Sequence, residues 1–203
     1  MLVIRRGQVV GEWYRGGDQK STYNIYSSSK SYTSTAFGLI LADFGNKPLP
    51  GGKELSLDTK VCNADWIPES LPLSDPRKSE ITVRHLLNMT SGIGSEPVPQ
   101  KLPYESSLGH LEGSPFAKLK GESGTVFNYS NAGVSHLVLL FQHAQKSDLF
   151  PFLKERLFDP IGMQRVEWQK IGGEGGIGPY NQGYSGVFTN PREHARFCYL
   201  ALH

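Results

Sequence analysis

Ser27-Ser28-Ser29-Lys30 sets a hydroxyl and an amine three residues apart. In a helix, positions i and i+3 share a face, so these two groups can hydrogen-bond without help from distant chain. An amine held there can take the serine proton as the oxygen attacks a carbonyl, which makes an activated nucleophile. The start of a helix suits that chemistry, because its unpaired N–H groups and positive dipole end favour negative charge developing on oxygen. Burial would add to this by favouring the neutral, proton-accepting form of a lysine amine. The plain alternative is that Ser27 caps the helix and Lys30 is a solvated first-turn lysine. Ser-x-x-Lys alone is too common a pattern to choose between them.

The helix that must carry this pair is marked by Tyr32, Ala36, Phe37, Ile40, Leu41 and Phe44 at helical spacing, with Gly45 where a left-handed cap would end it. It should run for about five turns. Upstream, Leu2-Val3-Ile4 faces Val9-Val10 and Trp13-Tyr14 across Arg6-Gly7, the pattern of a β-hairpin. Two strands are marginal in water, so that hairpin calls for further strands. Thr82 should cap a helix carrying Val83, Leu86 and Leu87 that stops at Ser91-Gly92. Residues 93–125 are rich in Pro and Gly and read as loop. A strongly apolar helix is expected from Asn131 to Gln145, and a second from Asp148 to Phe158, closed by Asp159-Pro160-Ile161-Gly162-Met163. Residues 165–171 suit a strand. Pro191 fits the first position of a helix that runs through Leu200 with no capping glycine. That pattern predicts a fragment of a longer protein, whose remainder supplies the missing strands.

Composition removes several function classes. With 203 residues, 38% hydrophobic and 20% charged, the chain can build one or two layers, and no apolar run reaches bilayer length. The first residues contain no apolar stretch of signal-peptide length, and localisation and oligomeric state stay open. The net charge of +2 comes from mixed charges without a basic block, so nucleic acid is not an expected partner. Cys62 and Cys198 read as two buried free thiols rather than a disulfide or metal pair. His136 and His143 share a helix face, but no third ligand is evident and H-E-x-x-H is absent, so no metal is expected. Gly173 to Gly178 matches G-x-G-x-x-G, yet the residues that follow continue as turn rather than the helix a pyrophosphate would need. A flexible loop fits better. Gly-x-Ser-x-Gly is also absent, which argues against an α/β-hydrolase elbow.

Downstream, Phe127-Asn128-Tyr129-Ser130-Asn131 leads into the apolar helix. Tyr-x-Asn at a loop-to-helix junction after Ser-x-x-Lys resembles the serine β-lactamase and penicillin-binding protein superfamily. The closer likeness is to its class C-like branch, which includes esterases, D-aminopeptidases and carboxypeptidase-like hydrolases. Gly7-Gln8-Val9-Val10, the stretch Ile81 to Ile93 and Asp159 to Met163 agree with it, and Gly183 to Leu202 looks like the segment before the family's last active-site strand. The resemblance implies an α+β fold, β-lactamase/transpeptidase-like, with an antiparallel sheet and a helical subdomain, the sheet incomplete in this chain. It implies one partial domain, with 1–26 as sheet hairpin and lead-in, 27–163 as nucleophile helix and helical region, and 164–203 as the return toward the sheet. It assigns Ser27 as nucleophile, Lys30 as base or proton relay, Tyr129 as second proton carrier and Asn131 as the group positioning the acyl side chain, with Ser130 a spacer. Taken alone, Tyr129 would be an ordinary half-buried aromatic and Asn131 a helix cap. The reaction implied is hydrolysis of a small-molecule ester, amide or β-lactam through an acyl-enzyme on Ser27, with no cofactor. The family's Lys/His-Thr/Ser-Gly triplet, which supplies the second oxyanion N–H, does not occur after Leu200. Losing one such donor costs about a hundredfold to a thousandfold in rate, so weak turnover is expected. The alternative is a catalytically incompetent fragment or a binding protein that keeps the fold.

Overall fold

A computed structural model describes residues 1–45, 47–94, 118–171 and 180–202. Most of the expected loop at 93–125 and the glycine motif at 173–178 lie outside the described residues.

Strands β1 (Leu2–Arg5) and β2 (Gln8–Glu12) form the expected antiparallel hairpin. Its two-residue turn needs positive φ at both positions, which Arg6 at 50° and Gly7 at 74° supply. Among the described residues this hairpin is a two-stranded sheet of its own rather than the edge of a larger one. A second sheet joins β3 (Tyr23–Asn24), β7 (Val187–Thr189) and β4 (Val166–Trp168), with β7 in the centre and all pairs antiparallel. A third pairs β5 (Lys170–Ile171) with β6 (Tyr180–Asn181). The strand expected over 165–171 is therefore two short strands with different partners.

Helix α1 (Ser29–Phe44) presents Tyr32, Ala36, Phe37 and Ile40 to the core with no exposure. Its end differs from expectation: Gly45 stays right-handed at φ −57°, and its N–H continues the helical ladder to the Leu41 carbonyl. Helix α2 (Val83–Leu87) starts as expected, with Thr82 Oγ1 accepting from the His85 N–H, but ends before Ser91 because Met89 is left-handed at φ 60°. Helix α3 (Asn131–Gln145) has the expected bounds. Asp148 caps α4 (Leu149–Leu153), which runs on as a wide π turn over Lys154–Phe158. Helix α5 (Pro191–Leu202) begins at the expected proline.

The core forms where these elements meet. Phe37 of α1 packs edge-on against Phe141 of α3, with centroids 6.1 Å apart. Tyr32 packs against Phe158 and stacks on Phe197 of α5 at 4.2 Å, and its hydroxyl bonds His194 Nδ1 at 2.9 Å. Burial keeps the His194 ring below its ordinary pKa and the Tyr32 phenol well above its own. Both cysteines are free, as expected, but only Cys62 is buried; Cys198 of α5 is exposed. His143 bonds Glu69 across helices, at 2.8 and 2.9 Å to its two oxygens. Among the described residues, no helix is long and apolar enough to cross a membrane.

Candidate active site

Ser27 does not open the helix as a cap. It lies in a 3₁₀ turn, Tyr26–Ser28, that feeds into α1, and no side-chain cap bond forms at either start. Its oxygen instead accepts from Lys30 Nζ at 3.2 Å, the contact that the spacing predicts. The turn is entered through Tyr26, a non-glycine residue at φ 48°, a conformation that costs side chains with a Cβ about 1 kcal/mol. Asn24 stabilises it by accepting the Tyr26 N–H at 2.8 Å. Ser27 is exposed, and Lys30 is half-buried behind it.

Residues 183–187 fix the first turns of α1. Lys30 Nζ also donates to the Tyr184 carbonyl at 2.9 Å, Thr33 Oγ1 donates to the Gly183 carbonyl at 2.7 Å, and Ser29 Oγ accepts the Val187 N–H at 3.2 Å. The Ile25 N–H donates to the Val187 carbonyl just ahead of Ser27. Gly183 makes this approach feasible, since a Cβ there would stand 2.3 Å from Val138 of α3 and 3.2 Å from Thr33. The 183–187 segment thus fills the angle between α1 and α3.

Tyr129 arrives from the other side. Asn128 and Ser130, its neighbours on either side, turn inward: Asn128 Nδ2 donates to the Ile93 carbonyl at 2.6 Å, and Ser130 Oγ to the Gly94 carbonyl at 3.1 Å. Alternation then leaves Tyr129 facing outward, 43% exposed. Its ring centroid lies 4.7 Å from Lys30 Nζ. Ser130 is more than a spacer, because its buried hydroxyl also accepts the Gly133 N–H and caps α3. The cap role that Asn131 would have had on the plain alternative therefore belongs to Ser130. Asn131 opens α3 two residues beyond Tyr129, with its side-chain oxygen buried.

The structure gathers Ser27, Lys30 and Tyr129 around one amine. It adds Tyr184, whose carbonyl bonds that amine and whose ring centroid lies 5.7 Å from it. A carbonyl leaves no trace in residue type, so Tyr184 could not be read from the sequence. The available signal was the glycine pair Gly183 and Gly186 flanking it. An exposed hydroxyl touching an amine, beside a phenol, has the parts for nucleophilic attack and proton transfer.

The sequence model of the Beta-lactamase family matches residues 1–202, and the chain belongs to that family. No curated protein matches it. Among solved structures it is similar to a candidate beta-lactamase from Bacteroides dorei DSM 17855, at 21% identity and TM-score 0.71, over 98% of this chain and 56% of that one. It is also similar to a candidate 6-aminohexanoate-dimer hydrolase from Bacillus anthracis, at 18% identity and TM-score 0.71, over 99% of this chain and 53% of that one. A third is a D-amino acid amidase from Ochrobactrum anthropi SV3, at 18% identity and TM-score 0.61, over 89% and 55%. These likenesses show the α+β, β-lactamase/transpeptidase-like fold. The chain spans a little over half the length of each.

Proposed function

We propose that this chain is a serine hydrolase that cleaves an ester or amide bond through an acyl-enzyme on Ser27. The observation that carries the reading is the 3.2 Å contact between Ser27 Oγ and Lys30 Nζ at an exposed helix start, with the Tyr129 ring 4.7 Å from the same amine. Ser27 Oγ bonds the carbonyl carbon while its proton passes to Lys30. Tyr129 relays a proton to the leaving group as the ester or amide bond breaks, and later assists water in releasing the acid. Asn131 positions the acyl side chain. On this reading residues 1–26 lead into the site, 27–163 carry the nucleophile and helical region, and 164–203 return to the small sheet. The family membership and the amidase and hydrolase likenesses support the reaction class, and small-molecule esters, amides and β-lactams are the candidate substrates. No cofactor enters any step.

A chromogenic ester tests it. A nitrophenolate burst equal to the protein concentration, lost in Ser27→Ala, is the expected result. A burst that survives in Ser27→Ala would place the chemistry elsewhere.

A further inference from the structure

We infer that the cleft between the β1–β2 hairpin and α5 binds a medium-chain carboxylate, an alkyl tail ending in one anionic head. The cleft shares no lining residue with the site around Ser27. The hairpin meets α5 at two points. At one, Arg192 holds Glu12 through two hydrogen bonds. At the other, Gly7 lies against the Tyr199 ring, where a Cβ would stand 3.5 Å from it. Along α5 the rise from Arg192 to Tyr199 is about 10 Å, and beside these anchors lies a cavity of about 640 Å³. That volume falls within the roughly 300–1,000 Å³ of small-molecule sites. Its walls are largely apolar, with Leu2, Ile4 and Val9 on the hairpin side and Ile161 opposite. Ile4 and Val9 pair across the strands and stay 39% and 46% exposed, so an alkyl chain seated there removes from water a surface that the fold leaves wet. Charge selects the head. Arg6 and Arg196 line the cavity with Arg192, and no carboxylate side chain does. Glu12 neutralises Arg192, but among the described residues neither Arg6 nor Arg196 is in an ion pair, and Arg196 reaches the Ile161 carbonyl only at 3.4 Å. Guanidinium groups grip a carboxylate through paired hydrogen bonds, so two uncommitted ones beside an apolar trough suit an anionic amphiphile rather than a neutral or cationic one.

Isothermal titration calorimetry on the whole 203-residue chain tests this with hexanoate, octanoate and decanoate, each kept below its micelle concentration. Saturable binding to one site is expected, tightening about three- to fourfold for each added methylene. Decanol and decyltrimethylammonium should bind about tenfold more weakly than decanoate, and replacing both guanidinium groups, Arg6→Gln with Arg196→Gln, should erase the preference for decanoate over decanol. Both arginines are exposed, so this variant should keep the wild-type circular dichroism spectrum. Ile4→Asp sets a like charge in the apolar wall and should abolish decanoate binding. Ser27→Ala should bind decanoate as the wild type does, because the cleft is separate from the candidate nucleophile. Absence of saturable decanoate binding at millimolar concentration would overturn the proposal, as would equal affinity for decanol. Loss of decanoate binding in Ser27→Ala would overturn it by placing the carboxylate at the serine. A dimer in sedimentation velocity that Ile4→Asp dissociates would overturn it by giving the cleft to a second copy of the chain.

Discussion

Lys30 meets two oxygens, and on the proposed mechanism they have opposite purposes: Ser27 Oγ is the atom to be activated and the Tyr184 carbonyl is a fixed tether. The tether matters because a lysine side chain is long and flexible, and a hydrogen bond to a rigid backbone oxygen removes much of that freedom in advance. Replacing Lys30 by Met keeps the packed stem and removes the amine. Acylation of Ser27 should then slow by about a hundredfold to ten-thousandfold, read from the ester burst, with the melting curve little changed. Ser130 offers a second residue-scale test. Ser130→Ala removes the cap of α3 and the bond to the Gly94 carbonyl that holds Tyr129's neighbour in place. Urea unfolding should report a loss of about 1–2 kcal/mol, and acylation should slow as well, because Tyr129 loses one of its two flanking anchors.

At the scale of elements, the site depends on how closely the 183–187 segment can approach α1 and α3. Gly183→Ala puts a methyl group into Val138. The expected cost is about 1–3 kcal/mol by denaturant unfolding, with slower acylation as the Tyr184 carbonyl shifts away from Lys30. The helices that frame this junction were legible in the sequence because each repeats its apolar residues long enough to show a period. Asn131 to Gln145 and the proline start of α5 have the bounds their residues suggest. Strands β3, β6 and β7 were not, since two or three residues are too short for alternation to show, and β3 and β7 pair with each other from opposite ends of the chain. Ser27 and Lys30 were legible because their contact is local. Tyr184 was not, because it reaches Lys30 from 154 positions away through a backbone atom. Cys198 was misread as buried for a related reason: residue type favours burial, but the face of α5 it occupies is turned to solvent.

Across the whole molecule, long-range polar ties hold the pieces that the small sheets do not. Glu12 of the hairpin accepts from Arg192 of α5 at 2.8 and 2.5 Å, and the guanidinium, aided by the Tyr14 hydroxyl, holds its carboxyl down to about 2. Asp75 is buried and accepts from Arg77 and from the Leu119 N–H at 3.0 Å, which joins the 76–80 turn to the segment leading toward Tyr129. Arg77 pushes the Asp75 carboxyl far below the usual carboxylate range. The folded state therefore binds this proton less readily than the unfolded state. The contribution is full above the ordinary carboxylate pKa and declines as pH falls toward the depressed folded value. Asp75→Asn should lose about 1–2 kcal/mol at neutral pH, a modest figure because Arg77 is 38% exposed and screened, and its unfolding free energy should fall less steeply with acid than the wild type's. Urea titrations at a series of pH values check both. The proposed chemistry rests on one exposed hydroxyl against one amine, so the most direct measurement is peptide mass mapping after treatment with a fluorophosphonate. A single adduct on the peptide carrying Ser27, formed far more slowly in Lys30→Met, is the expected result. An unmodified wild-type chain, or an adduct on a different residue, would contradict it.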